Sequence, residues 1–381
     1  MNFSLDPEQQ QFKESAERFF REQAGFDRWR KCAESDAPFD RACWADMSGF
    51  GWLSLNLPES AGGVGAQPIY THLLMEQAGR ALSREPLVGT CVVAAHLLSH
   101  LEEPLRSEIS SGIAGGKSIV ALAHAELEAR FDLANVQTRA LEAVGGYVLQ
   151  GMKSHVPDGA AADWFIVPAR TSGNPCDPLG ISLYLVRANS PGLTRHSLRS
   201  ADYRHNARLR LDNVYAGAET LIGEVGQGLA LLEHAVDLAL VAGVAEAVGI
   251  MEALRDATLG YLKTREQFGR RIGSFQVLQH RMVDMEIACE EARAMWLHAS
   301  GSLESTVAQR RRAVSAAKSR LGQTSLFVGH QAVQLHGGIG TTDDLIISHY
   351  LKRLVMLESS FGNGDYHRRR FLESTASLAV G

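Results

Sequence analysis

Four short stretches of this sequence hold residue types that do chemistry. LESSFGNGD, residues 357–365, ends an apolar run with Glu358, adds two serines and leaves through glycines to Asp365. A carboxylate shielded from water removes protons from carbon, but the same acid also serves as the last polar residue before a turn. In REQFGRRIGSFQ, residues 265–276, Arg265 closes a long helical pattern, Gly269 and Gly273 permit a turn, and Phe275-Gln276 opens another helix. Cations beside a helix start bind phosphate, because free N–H groups and guanidinium both favour anions. The plainer alternative is a basic helix–helix connection. QLHGGIGTTDD, residues 334–344, removes two side chains at Gly337 and Gly338, where a helix ends. A ligand phosphate can approach such backbone, or the glycines simply cap the helix and Thr342 or Asp343 caps the next. It is no G-x-G-x-x-G after a strand, which argues against a Rossmann site. In KSHVPDGAAADWFIVPAR, residues 153–170, a glycine-bearing turn feeds a strand, either as a wall over a flat ligand or as a hairpin.

The elements that must position these stretches fall into three zones. Residues 1–117 are helical: Asp6, Pro7 and Gln9 set up a capping box, and Phe12, Ala16, Phe19 and Phe20 follow at helical spacing. Residues 118–222 change period. SIVALAH, VQTRAL, GYVLQG, DWFIVPAR, ISLYLVR and ARLRLDNV are short β-rich runs broken by Gly, Pro, Asn and Asp, as in an antiparallel sheet or barrel. Residues 223–381 return to long helices at 228–263, 275–300, about 306–335 and about 343–358, which suggests an antiparallel four-helix bundle. The fold class expected is therefore α+β, with a helical, a β and a bundle domain.

Composition excludes several classes. At 381 residues, 45% hydrophobic and 21% charged, the chain can bury large cores. Its net charge of −5 gives no basic footprint for nucleic acid. Cys32, Cys43, Cys91, Cys176 and Cys289 show no C-x-x-C spacing and read as reduced thiols, neither a zinc site nor a disulfide frame. The polar, acidic start is not a signal peptide, and the apolar stretch 229–251 carries Glu233, Asp237 and Glu246, too costly for a membrane span. A cytoplasmic protein without membrane insertion is expected.

In order along the chain, REQFGRRIGSFQ, QLHGGIG and a lysine followed six residues later by glutamate resemble the acyl-CoA dehydrogenase family. SLDPEQQQFKESAERFF, GWLSLNLPESAGGVG and the β segment 136–173 fall in the family's order, so the resemblance covers nearly the whole chain. AEAVGIMEAL, YLKTREQFG, QLHGGIGTTDDL and HYLKRL with FGNGDYHRRR are similar to one branch. That branch holds dehydrogenases of pimeloyl-CoA and steroid side chains, often the smaller subunit of a two-gene enzyme.

The resemblance implies an N-terminal α domain, a middle β domain and a C-terminal bundle, assembled as homo- or hetero-oligomers with FAD at the subunit interface. It implies that Arg265 and Gln276 hold the FAD pyrophosphate and adenosine, with Phe268 beside them. Gln334, Leu335, His336, Gly337 and Gly338 match the neighbouring subunit's segment on the same adenosine diphosphate, and Ser360 the hydroxyl after the base. Counting six from Lys352, Glu358 is the base that removes the α proton of an acyl-CoA, and an electron-transfer flavoprotein takes the electrons. Relatives that place the base on the first bundle helix have it where Ala239 stands here, with Leu240 for the neighbouring Arg. Glu246, two turns on, and Asp365 remain further candidate acids. The sequence departs from the family's pattern in the β domain. His124-Ala125-Glu126 stands in the flavin loop, His155 and Pro157 replace a Trp-x-Thr/Ser strand, and Leu357 replaces an aromatic. Two other expectations therefore stand beside the dehydrogenase: a non-catalytic FAD-binding partner subunit, and a flavin oxidase on the same fold.

Overall fold

The computed structural model describes residues 5–23 and 25–379, with side chains through Thr375; residues 1–4, at the head of the polar N-terminal stretch, lie outside them. Six helices come first: α1 (Pro7–Gln23), α2 (Phe26–Glu34), α3 (Arg41–Gly49), α4 (Pro68–Arg80), α5 (Ala95–Leu98) and α6 (Leu105–Ala114). The α1 start is the expected capping box. Gln9 N–H donates to Asp6 Oδ1 at 2.9 Å and Asp6 N–H to Gln9 Oε1 at 3.1 Å.

Eight strands form one sheet: β1 (Val120–Leu122), β2 (Arg139–Ala143), β3 (Gly146–Val156), β4 (Trp164–Arg170), β5 (Ile181–Arg187), β6 (Leu193–Arg199), β7 (His205–Gly217) and β8 (Leu221–Ile222). Their order is β6-β7-β3-β2-β4-β5-β8, with β1 also on β4. The sheet expected to be antiparallel is mixed, because β1 and β2 both run parallel to β4. Every residue of β4 is buried, consistent with its near-continuous apolar run WFIVPA. β2 lies between β3 and β4, so the turn at 157–160 joins strands that do not pair and is not a hairpin.

The last zone holds α7 (Gly228–Thr264), a two-stranded hairpin of β9 (Glu266–Gln267) and β10 (Arg270–Arg271), then α8 (Gln276–Ser300), α9 (Val307–His336), α10 (Ile346–Ser359) and α11 (Gly364–Ala379). The four expected helices are present, and α11 is added to them. Neither Thr342 nor Asp343 caps α10: its N-cap is Leu345, without a side-chain bond. The polarity is reversed there, with Ser348 Oγ donating to the Thr342 carbonyl at 2.9 Å and a His349 ring nitrogen 3.0 Å from that of Asp343.

The chain packs as two compact units. Among the described residues, one takes those up to Arg30, His72–Ser83 and those from Leu240 on; the other takes Lys31–Thr71 and Arg84–Ala239. In the first, Glu76 of α4 receives Arg293 of α8 at 3.2 Å and Lys13 of α1 at 3.0 Å. Arg80 meets Glu252 and Asp256 of α7 at 3.0 and 2.8 Å. α7 is long and apolar enough to cross a membrane, but Ala242, Ala245, Val248, Ile250 and Leu254 are buried in protein, which makes it a core helix.

Candidate functional site

The stretch after α7 is built by a tight reversal. Gln267 pairs with Arg270 and Glu266 with Arg271, and both turn residues, Phe268 and Gly269, have positive φ (54° and 75°). Two left-handed residues give the turn twist that suits a two-residue hairpin, though for Phe268 at some conformational cost. The result is an aromatic ring 90% exposed at the hairpin tip. Ile272 N–H closes the base of the hairpin on the Arg265 carbonyl at 2.9 Å. Arg270 lies over the Phe275 ring at 3.9 Å, and Phe268 meets the same ring edge-on at 6.2 Å. α8 then begins with Phe275 as N-cap and no side-chain cap, so its first N–H groups are not claimed by a side chain.

The QLHGG segment ends α9 beside this place. His336 stacks on Tyr261, one turn before Arg265, with centroids 4.6 Å apart, and its Nδ1 lies 2.8 Å from the Ala332 carbonyl. Burial lowers its pKa, so the ring packs as a neutral group. Leu335 and His336 are buried, whereas Gln334, Gly337 and Gly338 face outward. Gly337 has φ +68°, and a Cβ on it or on Gly338 would meet nothing within 4 Å. Bare, accessible backbone here, and an exposed arginine, an exposed aromatic and an uncapped helix start at the hairpin, are two parts of one donor set. That donor set fits a diphosphate joined to an aromatic base, as in FAD.

The other candidate centre is the corner between α10 and α11. Glu358 is half-buried, and its Oε1 accepts the Gly364 N–H, the first of α11, at 2.9 Å. Lys352 pairs with Asp343 at 2.7 Å. Ser360 closes α10, its Oγ donating to the Met356 carbonyl at 2.7 Å. Asp365 is exposed and pairs with Arg368 at 3.2 Å, so it does not fold back into the corner. His367 is buried, with Nε2 3.0 Å from the Phe361 carbonyl; burial, then Lys318 and Arg370, lower its pKa to about 3.

Glu246 is held differently. Arg353 of α10 donates to both of its oxygens, Nε at 2.6 Å and Nη2 at 2.8 Å, and Glu246 is almost fully buried. A bidentate, desolvated pair of this kind is a packing element that ties α7 to α10. Glu246→Gln is expected to lower stability by about 1–3 kcal/mol, read by urea denaturation, while flavin reduction by substrate stays within about twofold of wild type.

In the β unit, Glu126 anchors the region that departs from the family's pattern. It accepts from Gln137 N–H (2.7 Å), Thr138 N–H (3.1 Å), Thr138 Oγ1 (2.6 Å) and Lys153 Nζ (2.6 Å). Burial opposes its charge, but Lys153 and the hydrogen bonds outweigh burial and hold its carboxyl below the usual range. His124 nearby is half-buried; burial first, then Lys153 and His155, lower its pKa to about 4. No signal in the sequence marked this pair, because its members lie on different elements.

Three family descriptions match the chain in order: the acyl-CoA dehydrogenase N-terminal domain at residues 6–117, its middle domain at 121–214 and its C-terminal domain at 226–375. A curated relative, mitochondrial isovaleryl-CoA dehydrogenase of Solanum tuberosum, is 27% identical over 96% of this chain and 89% of its own length. A solved variant of the Tcur3481-Tcur3483 steroid ACAD is 28% identical, covers 98% of this chain and 99% of that one, and superposes with a TM-score of 0.88. A chain of the ChsE4-ChsE5 complex from Mycobacterium tuberculosis is 25% identical, covers 99% of both chains and also gives 0.88.

Proposed function

The chain belongs to the acyl-CoA dehydrogenase family, and from that premise we propose that it is a cytoplasmic, FAD-dependent dehydrogenase of acyl-CoA thioesters. The product is the trans-2-enoyl-CoA, and an electron-transfer flavoprotein is the acceptor. FAD, when bound, supplies the acceptor for the hydride that leaves the β carbon. Arg265, the first N–H groups of α8 and Gln276 would hold its diphosphate and adenosine, with Phe268 against the base and the bare Gly337-Gly338 backbone of a second copy closing over it. Glu358 takes the α proton onto a carboxylate oxygen, and the electron pair of that C–H bond becomes the second bond of the new C=C. The observation that carries this reading is the pose of Glu358. Gly364 N–H fixes one oxygen, and the other has no hydrogen bond among the described residues, so it is open to a carbon-bound proton.

A second reading is favoured by one specific observation. The stretch that includes His155 and Pro157 is organised around a buried Glu126–Lys153 pair, which suits a chain that keeps its adenosine clamp while a sister subunit completes the flavin site. Anaerobic titration of the purified chain with straight-chain, dicarboxylyl, aromatic and steroid CoA thioesters separates the readings. Yellow protein bleached by one of them is the expected result. Colourless protein that turns yellow only when co-expressed with a homologue replaces it with the partner-subunit reading. Oxygen uptake with peroxide release replaces it with a flavin oxidase.

A further inference from the structure

Lys318 is the buried lysine of α9, 3% exposed, and the proposed chemistry does not use it. Its Nζ donates to the Leu357 carbonyl, the peptide that leads into Glu358. Glu358 lies one turn further along the same helix face, over Gly322. A Cβ on Gly322 would press to 3.3 Å from Glu358 Oε1 and 3.4 Å from its Cγ. Gly364, whose N–H holds that oxygen, packs back on the Ser319 carbonyl: a Cβ there would lie 3.6 Å from it. The notch made by a small residue, the lysine and the α11 start therefore converge on one side chain.

We propose that Lys318 is the positioning residue of the 357–364 corner, gripping the Leu357 carbonyl from α9 and drawing the Glu358 carboxylate onto Gly322 and the Gly364 N–H. Its bearing on catalysis rests on the reading of Glu358 as base; its bearing on the corner does not. The groups that face it are Arg353 and Glu358 from α10 and His367 from α11; Arg353 is itself paired to Glu246 of α7, and Arg370 of α11 acts on His367. Burial lowers the Lys318 pKa to about 7, Glu358 opposes that shift and Arg353 adds to it. As pH rises through neutrality the ammonium becomes an amine: the attraction to Glu358 is lost, but the amine still donates to the Leu357 carbonyl and the cost of a desolvated charge is lifted. The linkage has a definite sign. Above about pH 7 and below the ordinary lysine range, the unfolded chain binds more protons at this site, so its contribution to stability rises with pH there.

The test is hydrogen exchange of the peptide spanning 357–366 in the full chain between pH 6 and 9, corrected for intrinsic exchange. Because opening the corner frees Lys318 to bind a proton, wild type is expected to gain about tenfold protection per pH unit above neutrality. Lys318→Met is expected to lose this pH dependence, with unchanged near-UV circular dichroism. A flat or falling wild-type profile overturns the proposal without any variant, and so does a folded Lys318→Met protein that keeps the wild-type pH dependence. With a substrate that reduces the flavin, Lys318→Met should lower kcat about 10- to 100-fold, leave KM within about twofold and erase the pH limb near neutrality. If Glu358→Gln abolishes reduction but Lys318→Met keeps the wild-type rate and profile, the positioning role falls alone. If Glu358→Gln reduces normally, the base assignment falls and the exchange measurement still decides the role of Lys318.

Discussion

Exchange of Glu358 for glutamine is expected to slow flavin reduction by an acyl-CoA about 10²- to 10⁴-fold, the usual contribution of a positioned general base. Flavin content and thioester affinity should change little, because the amide keeps the size of the side chain and an oxygen that can still accept the Gly364 N–H. The effect should therefore appear in kcat and kcat/KM together, as for an interaction made only in the transition state. Stopped-flow bleaching under nitrogen measures it directly. A rate within a fewfold of wild type would move the base elsewhere. Glu246 is a poor successor, since Arg353 already occupies both of its oxygens. Asp365 points to Arg368. The partner-subunit reading would then gain most.

The second large effect concerns the β unit and is asymmetric. Glu126→Ala should destabilise the protein by about 3–5 kcal/mol, because it leaves the fully buried Lys153 with only the Pro168 carbonyl, 2.7 Å away. Lys153→Met should cost less. Glu126 would keep the Gln137 and Thr138 N–H groups and the Thr138 hydroxyl as donors. A Glu126→Leu, Lys153→Met double variant should recover part of the loss, since apolar packing needs no desolvated charges. Urea denaturation of wild type and the three variants measures these differences. Acid should act in the same direction as Glu126→Ala. A carboxyl held below its ordinary pKa stabilises the fold at neutral pH, and that stabilisation is lost as pH falls through the folded-state value.

These two sites differ in how far the sequence revealed them. The helical stripes from 228 to 358 were legible because each alternates apolar and polar residues over many turns, and α7 through α10 begin and end within a few residues of that pattern. α11 was not, since FGNGD reads as an exit from structure, whereas Gly364 is its first residue. β6 was missed for a related reason: LTRHSLR is mostly exposed and shows no apolar alternation. The parallel pairing of β1 and β2 with β4 is a matter of topology that local runs do not encode. Arg265, Phe268 and Gln276 stood out as motif letters, but motif letters carry no direction. Leu335 and His336 belong to the same motif as Gly337 and yet point into the fold. Partnerships across the chain were invisible for the same reason, Arg353 lying 107 residues from Glu246 and Lys318 39 residues from Leu357.

The discontinuous make-up of the helical unit also sets an order of events during synthesis. α1 and α4 leave the ribosome early, yet α4 is tied to α7 and α8; Glu76 and Arg293 are separated by 217 residues. Leu73, Leu74 and Met75 are almost fully buried in the finished protein. Until α7 and α8 emerge, Glu76 and Arg80 of the same helix lack the ion-pair partners that those helices supply in the finished protein. The nascent protein therefore spends most of its translation with an apolar helix waiting, and chaperone demand should be highest then. A stop codon between α7 and α8 would yield a chain that cannot complete its first helices, a product for proteolysis and not a smaller enzyme.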